Sequence, residues 1–231
     1  MNFHILTLFP EMIQQACSHS ILKRASGAGI VSVDCVNIRD FAVNKHGQVD
    51  DAPYGGGAGM VMMAPPVYDA FMSIKKPHAR FIYLSPQGKV FNQRMAEELS
   101  REKDIIMLCG HYEGVDQRAL DILSPEEISI GDYILTGGEL GALVIIDAVA
   151  RLLPGAVGKN ESVNNESFSE ELEGMLEYPQ YTRPPVFKEI TVPDVLLSGH
   201  HKQIDEWRKE QSRRRTIKTR PDLIKGGITC Q

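Results

Sequence analysis

Three stretches of the chain set glycines and small polar residues where a ligand can meet backbone: YLSPQGK (83–89), CGHYEG (109–114) and SIGDYILTGGE (129–139). Each follows an apolar or β-branched run that reads as a strand. In open α/β sheets, ligands sit at the carboxyl ends of strands, where such loops converge. Glycine there lets a ligand approach the main chain and leaves N–H groups to hold it. A single glycine after a strand is merely a turn; three such loops point to a small-molecule pocket. Two other nucleotide devices are missing. GGGAGM at 55–60 lacks the Lys and Ser/Thr with which a P-loop holds phosphate and Mg²⁺. No G-x-G-x-x-G joins the first strand to the first helix, so the dinucleotide fingerprint is absent as well. Adenosine without a polyphosphate needs neither.

The four cysteines (Cys17, Cys35, Cys109, Cys230) form no C-x-x-C pair, and the seven histidines are scattered. Three of the cysteines stand in apolar or helical contexts, so neither a disulfide framework nor a metal site is expected. The net charge of −5 argues against a protein that coats nucleic acid, but the charge is uneven. Residues 176–231 carry 11 Lys/Arg against 7 Asp/Glu, and residues 1–175 carry 14 against 23. Within 201–220 the count is 8 basic to 3 acidic. A basic helical end on an acidic body fits a polyanion met locally, and equally a solvated helix face.

Bringing three loops together requires a sheet. Strands are expected at Phe3–Phe9, Ile30–Ile38, Arg80–Ser85, Asp104–Cys109 and Glu127–Ile130. Helical spacing falls between them at Glu11–Ser18, Pro66–Ile74, Asn92–Arg101 and Val115–Ile122, then at Gly138–Leu153. This alternation implies an α/β fold with a parallel sheet covered on both faces. A length of 231 residues, 42% hydrophobic, suits one large domain or a medium one plus a small one. No apolar run approaches the ~20 residues that span a bilayer. The N-terminus MNFHILTLFPEM has no basic n-region, so it reads as a first strand and the protein as cytoplasmic. Residues 159–177 are acidic, rich in Ser and Asn, and have a linker's composition. Helical pattern then resumes at Val192–Leu197, His201–Lys218 and a short piece from Pro221. Ile204, Trp207 and Gln211 share a face expected to pack, leaving Arg208, Lys209 and Arg213–Arg215 to water or RNA. The expected division is 1–160, a linker at 161–175, and a small helical domain at 176–231.

The stretches VDDAPYGGGAGMVM (49–62), LSPQGK (84–89), LCGHYEGVDQR (108–118), EISIGDYILTGGELGALVIIDAVARLLPG (127–155), LEYPQYTRP (176–184) and VPDVLLSGHH (192–201) resemble the tRNA (guanine-N1)-methyltransferases of the SPOUT superfamily. The resemblance runs in order over nearly the whole chain, and IGDYxLxGGE with CGxYEGxDxR is its most specific part. It implies a SPOUT-type parallel sheet threaded into a deep trefoil knot, with S-adenosylmethionine bound bent among the knot loops. It further implies an obligate homodimer whose active site lies at the subunit interface, and a C-terminal helical domain docked on tRNA. Carried over by position, Tyr83, Leu84, Ser85 and Pro86 form the first wall of the cofactor site. Gly110, Tyr112, Glu113 and Gly114 form the second. Ser129, Ile130, Gly131, Asp132, Tyr133, Ile134, Leu135, Gly137 and Gly138 form the third. Tyr133, Ile134 and Leu135 are open to a second reading as plain core.

The acceptor sets the rest of the chemistry. N1 of guanine carries a proton and becomes a nucleophile as that proton leaves and charge spreads to O6, so a carboxylate base and a cation are the minimum. In the resembled family the base is the Asp of a D-S-F motif and the cation is the Arg before L-L-P-G. Arg151 matches the cation directly, with a helix C-terminal cation as its other reading. At the base this chain departs from the pattern and reads Glu166-Ser167-Phe168. Asp50, Glu170 and Glu171 are further candidates. The loop Asp50–Gly59, with Tyr54, Gly55 and Gly59, is expected to close over an extruded guanine. Arg213, Arg214 and Arg215 are expected to meet RNA. Two rival readings remain open: a non-catalytic RNA-binding module, and a SPOUT enzyme acting on another acceptor atom.

Overall fold

The computed structural model describes residues 1–157 and 166–224. The expected boundary at 160/161, and Cys230, lie outside them. The chain divides into two compact units, Met1–Gly158 and Lys159–Gln231.

The first unit is built on a five-stranded sheet in the order β2-β1-β6-β5-β7, parallel throughout. Its strands are β1 (Asn2–Thr7), β2 (Ser32–Asn37), β5 (Arg80–Val90), β6 (Asp104–Cys109) and β7 (Glu126–Ser129), with a separate hairpin of β3 (Asp50–Asp51) and β4 (Val61–Met62). The central strands read NFHILT and DIIMLC and are buried from their second residue on, as strands covered on both faces must be. Alternate side chains feed two cores. Phe3, Ile5, Ile105 and Met107 pack with Ile13 of α1 (Pro10–Cys17), Ala25 of α2 (Ser20–Gly27), Leu99 of α4 (Gln93–Leu99) and Ile145 of α6 (Glu139–Ala150). Leu6, Ile106 and Leu108 pack with Val67 and Phe71 of α3 (Ala64–Ile74) and Leu120 of α5 (Gln117–Leu123). Each fully buried Ile or Leu contributes ~1.5–3 kcal/mol.

Local signals set the element ends. Asn92 accepts a hydrogen bond from the Met95 amide at 3.0 Å to start α4, and Asp116 accepts from the Arg118 amide at 3.0 Å. The Asp116 cap is why α5 begins at Gln117 and not at the expected Val115. Strand β5 runs on to Val90, beyond the expected Ser85, because it leaves and rejoins its neighbour. Leu84 and Lys89 both stand opposite Ile128 of β7, so Ser85–Gly88 loop out of the ladder. No Cβ fits on Gly88, which lies against the backbone of Glu127 and Ile128. At the other end of the sheet, Asp104 Oδ1 receives His4 Nε2 at 3.0 Å, Lys76 Nζ at 2.9 Å and Asn2 Nδ2 at 3.0 Å. Together these hold the Asp104 carboxyl well below the usual carboxylate range, His4 contributing most. Cys17, Cys35 and Cys109 are free thiols, and burial pushes Cys35 up to about 12.

The second unit holds a hairpin of β8 (Val186–Phe187) and β9 (Ile190–Thr191), a short α7 (Asp194–Leu197), and α8 (His201–Thr219). The face of α8 expected to pack does so, with Ile204, Trp207 and Gln211 half-buried. Its fully buried residues, however, are Ser212 and Thr216. Ser212 Oγ donates to the Leu176 carbonyl at 2.5 Å and Thr216 Oγ1 accepts from the Leu176 amide at 3.0 Å, so both backbone groups of Leu176 are satisfied by hydroxyls of α8. Arg208 is partly exposed, and its guanidinium also lies 5.0 Å from the centre of the Tyr178 ring. Residues 166–176, which include the described part of the expected linker, form hydrogen-bonded turns. Phe168 and Met175 pair through a 2.8 Å backbone bond, further turns link Ser169 with Glu166 and Gly174, and Leu172 is buried. Among the described residues no helix is long and apolar enough to cross a membrane.

Candidate active site

The three glycine-bearing loops converge on one cleft of about 430 Å³. The first wall is the loop-out of β5, the second follows β6, and the third links β7 to α6. Close approach explains the glycines. A Cβ on Gly110 would lie 3.0 Å from the Tyr83 ring, and one on Gly138 would lie 2.7 Å from Cys109 Cα. The Gly138 amide donates to the Gly110 carbonyl at 3.0 Å, joining the second wall to the third. Ser129 Oγ accepts from the Gly131 amide at 3.2 Å and donates to its carbonyl at 3.1 Å, fixing the turn after β7. Burial pushes the Tyr83 phenol above its ordinary range, with the Glu127 carboxylate adding to the shift.

Sixteen of the seventeen residues expected at a cofactor site line this cleft: Tyr83, Leu84, Ser85, Pro86, Gly110, Tyr112, Glu113, Gly114, Ser129, Ile130, Gly131, Tyr133, Ile134, Leu135, Gly137 and Gly138. Asp132 is the exception. The Tyr133 amide bonds back to the Gly131 carbonyl at 3.0 Å and the Tyr133 hydroxyl to the Ile130 carbonyl at 3.1 Å, a tight turn that leaves Asp132 exposed outside the cleft. The core reading of the next residues fails as well, since Ile134 is 83% exposed and Tyr133 54%. Gln87, His111, Gln117, Glu127, Thr136 and Gly141 also line the cleft and went unread. Gln87, His111 and Thr136 stand inside the three motifs, which was their only signal, while Gln117, Glu127 and Gly141 lie just outside them.

The guanine-side candidates are placed as follows. Asp50 lies in the β3–β4 hairpin opposite Met62, Tyr54 is 97% exposed, and Gly55 and Gly59 have φ of +87° and +86°. This loop is tied to the second wall: the Glu113 amide donates to the Met60 carbonyl at 2.9 Å. Arg151 caps the C-terminus of α6 and lines a shallow apolar depression with Leu140, Val144 and Asp147. That depression shares Ile130, Tyr133 and Leu135 with the cleft, so the two adjoin. In the second unit Glu166 is half-buried at the start of its turn, and Glu170 and Glu171 are exposed. Arg213–Arg215 are exposed on α8, with Arg214 Nε 2.6 Å from Glu210.

A cleft with backbone on three sides, glycines that no Cβ could replace and no basic cluster suits an adenosine-bearing ligand without polyphosphate. Among the described residues no group of three or more His, Cys, Asp or Glu could hold a metal ion.

A family model described as tRNA (Guanine-1)-methyltransferase TrmD matches residues 1–226. The chain belongs to this tRNA (guanine-1)-methyltransferase family. Its relatives include the tRNA (guanine-N(1)-)-methyltransferase of Clostridioides difficile, 55% identical over 97% of this chain and 98% of that protein. Those of Caldicellulosiruptor saccharolyticus and Halalkalibacterium halodurans are 56% and 54% identical, covering 97% and 98% of this chain and 90% and 92% of theirs. The match to the tRNA (guanine-1)-methyltransferase family thus takes in both units, and the parallel α/β sheet is the expected one.

Proposed function

We propose that the chain transfers a methyl group from S-adenosylmethionine to N1 of the guanine 3′-adjacent to the anticodon of tRNA, position 37, and does so as a homodimer. The observation that carries this reading is family membership over the whole length, joined to a glycine-walled cleft of the right chemistry. When bound, S-adenosylmethionine supplies an electrophilic methyl on its sulfonium. The backbone of the three walls holds the adenosine and ribose, while Tyr83 and Leu84 give the base an apolar seat. Arg151 stabilises the charge that grows on O6, and Glu166 takes the proton from N1 with one methylene more reach than an aspartate. The loop Asp50–Gly59 receives the extruded guanine, and the basic face of the second unit docks the tRNA. Leu140 and Val144 are each 46% exposed on an otherwise apolar α6, which supports a second copy covering that face. The sheet is read as threaded into the knot of its superfamily.

One experiment tests the reading. The full chain is incubated with tRNA transcript and S-adenosylmethionine, and the digested product is mapped by mass spectrometry. N1-methylguanosine at position 37 is expected. A 2′-O-methyl nucleoside, or methylation at another base, replaces the acceptor assignment. S-Adenosylhomocysteine at about 100 times its Kd should add ~2.7 kcal/mol of stability. A chain that neither methylates nor is stabilised is an RNA-binding module.

A further inference from the structure

Beside the cleft a carboxylate is buried that the chemistry above does not use. Glu139, the first residue of α6, is 2% exposed. Its Oε1 accepts from the Thr7 hydroxyl at 2.6 Å, and its Oε2 lies 2.7 Å from Nε2 of His111. The Thr7 oxygen in turn accepts from the Phe9 amide at 2.9 Å. A buried carboxylate is costly unless hydrogen bonds satisfy it, and a helix start favours its charge. Because a carboxylate only accepts, the geometry puts a His111 proton on Nε2. The surroundings are closed: a Cβ on Gly137 would overlap His111 Nε2 and lie 2.7 Å from Glu139 Oε2. Three segments meet at this point, the end of β1, the loop after β6 and the loop into α6. The last two are walls of the cleft, and His111 lines it.

We propose that Glu139 is a positioning residue of the methyl-donor cleft: acting through His111, it fixes the 110–114 wall against Gly137 and Gly138 before the donor arrives. The proposal rests on the donor reading given above. Thr7 completes the device by holding the carboxylate from the far side, so the cleft depends on a hydroxyl that does not line it. An interior that was merely satisfied would lose stability on disruption without losing ligand affinity. A positioning device loses affinity.

The test is calorimetric titration of the full-length chain with S-adenosylhomocysteine. Glu139→Gln exchanges one acceptor for a donor at constant size, Thr7→Val removes the hydroxyl at near-constant volume, and Thr7→Ser keeps it. Glu139→Gln and Thr7→Val should each weaken binding about tenfold, the size of one missing buried hydrogen bond. Thr7→Ser should stay near the parent. The KM for S-adenosylmethionine should rise by more than kcat falls. Thr7→Val combined with His111→Gln should weaken binding no further than the stronger single change, because both act through one carboxylate. Parental affinity in Thr7→Val overturns the proposal, as does a lowered melting temperature with affinity unchanged, or additivity in the double variant. The Thr7 pair decides the matter even where Glu139→Gln does not fold. A parent that does not bind S-adenosylhomocysteine sinks the donor reading itself, an outcome distinct from these.

Discussion

Gly59 and Glu113 adjoin so closely that a Cβ on the glycine would overlap the glutamate carboxylate. Gly59 belongs to the loop proposed to receive guanine, and Glu113 lines the cleft proposed for the methyl donor. The loop and the cleft therefore share an approach that exists only because a side chain is missing. Gly59→Ala must both adopt a φ of +86° and displace Glu113. Gly55→Ala faces a similar φ of +87° but open space, so its cost is only the ~1–2 kcal/mol of a left-handed residue. Donor affinity should fall roughly tenfold in Gly59→Ala, the equivalent of one buried hydrogen bond, and stay parental in Gly55→Ala. Equal affinities by calorimetry would show that the approach carries nothing between the two sides.

The base is tested at Glu166. Glu166→Gln should bind donor and tRNA as the parent does yet lose methyl transfer by ~10²–10⁴-fold, the usual worth of a general base. Glu166→Asp keeps the carboxylate but shortens its reach, so its single-turnover rate should fall between the two. Asp50→Asn and Glu170→Gln are the controls. A parental rate in Glu166→Gln with a collapse in either control moves the base.

On α8, Arg213, Arg214 and Arg215 are exposed, and Arg214 is already paired with Glu210. Changing all three to Ala should weaken tRNA binding and lower the slope of log K against log salt by ~0.7–0.9 for each phosphate left unneutralised. Donor affinity should not move. An unchanged salt slope makes this a solvated face.

Acid stability should depend on Asp104. Its carboxyl is held below its ordinary value by His4, Lys76 and Asn2, so the native state binds fewer protons than the unfolded chain in mild acid. The stabilisation is complete above the unfolded value of ~3.9 and is lost as pH falls through the lower folded value. Urea unfolding of Asp104→Asn should show reduced stability at pH 7 and a shallower decline below about pH 4. An acid limb as steep as the parent's would place the sensitivity elsewhere.

The central strands were legible because Ile105–Leu108 is one apolar run that only a doubly covered strand explains. The walls of the cleft were legible as residue types, glycines and small polar side chains at strand ends. Hairpin β3–β4 was not, because two residues per strand show no period. That Asp132 falls outside the cleft was not legible, because one reversed turn decides which neighbour lines it. The burial of Ser212 and Thr216 was not legible, since their partner is a backbone 36 or more residues away. The role of Glu139 was not legible either, because its bond with Thr7 spans 132 residues. Such long-range pairings have no local sequence signature.

The excursion Ser85–Gly88 is pinned at both ends by the same residue of β7. A free loop gives up ~1–2 kcal/mol of backbone entropy per residue when a ligand orders it. Here that loss falls on folding, because the strand on either side has already set the loop's ends. The first wall is thus a rigid jaw, and discrimination among donor analogues becomes a matter of shape more than of induced ordering. Binding should then leave the amide exchange rates of 85–88 nearly as they are in the free protein.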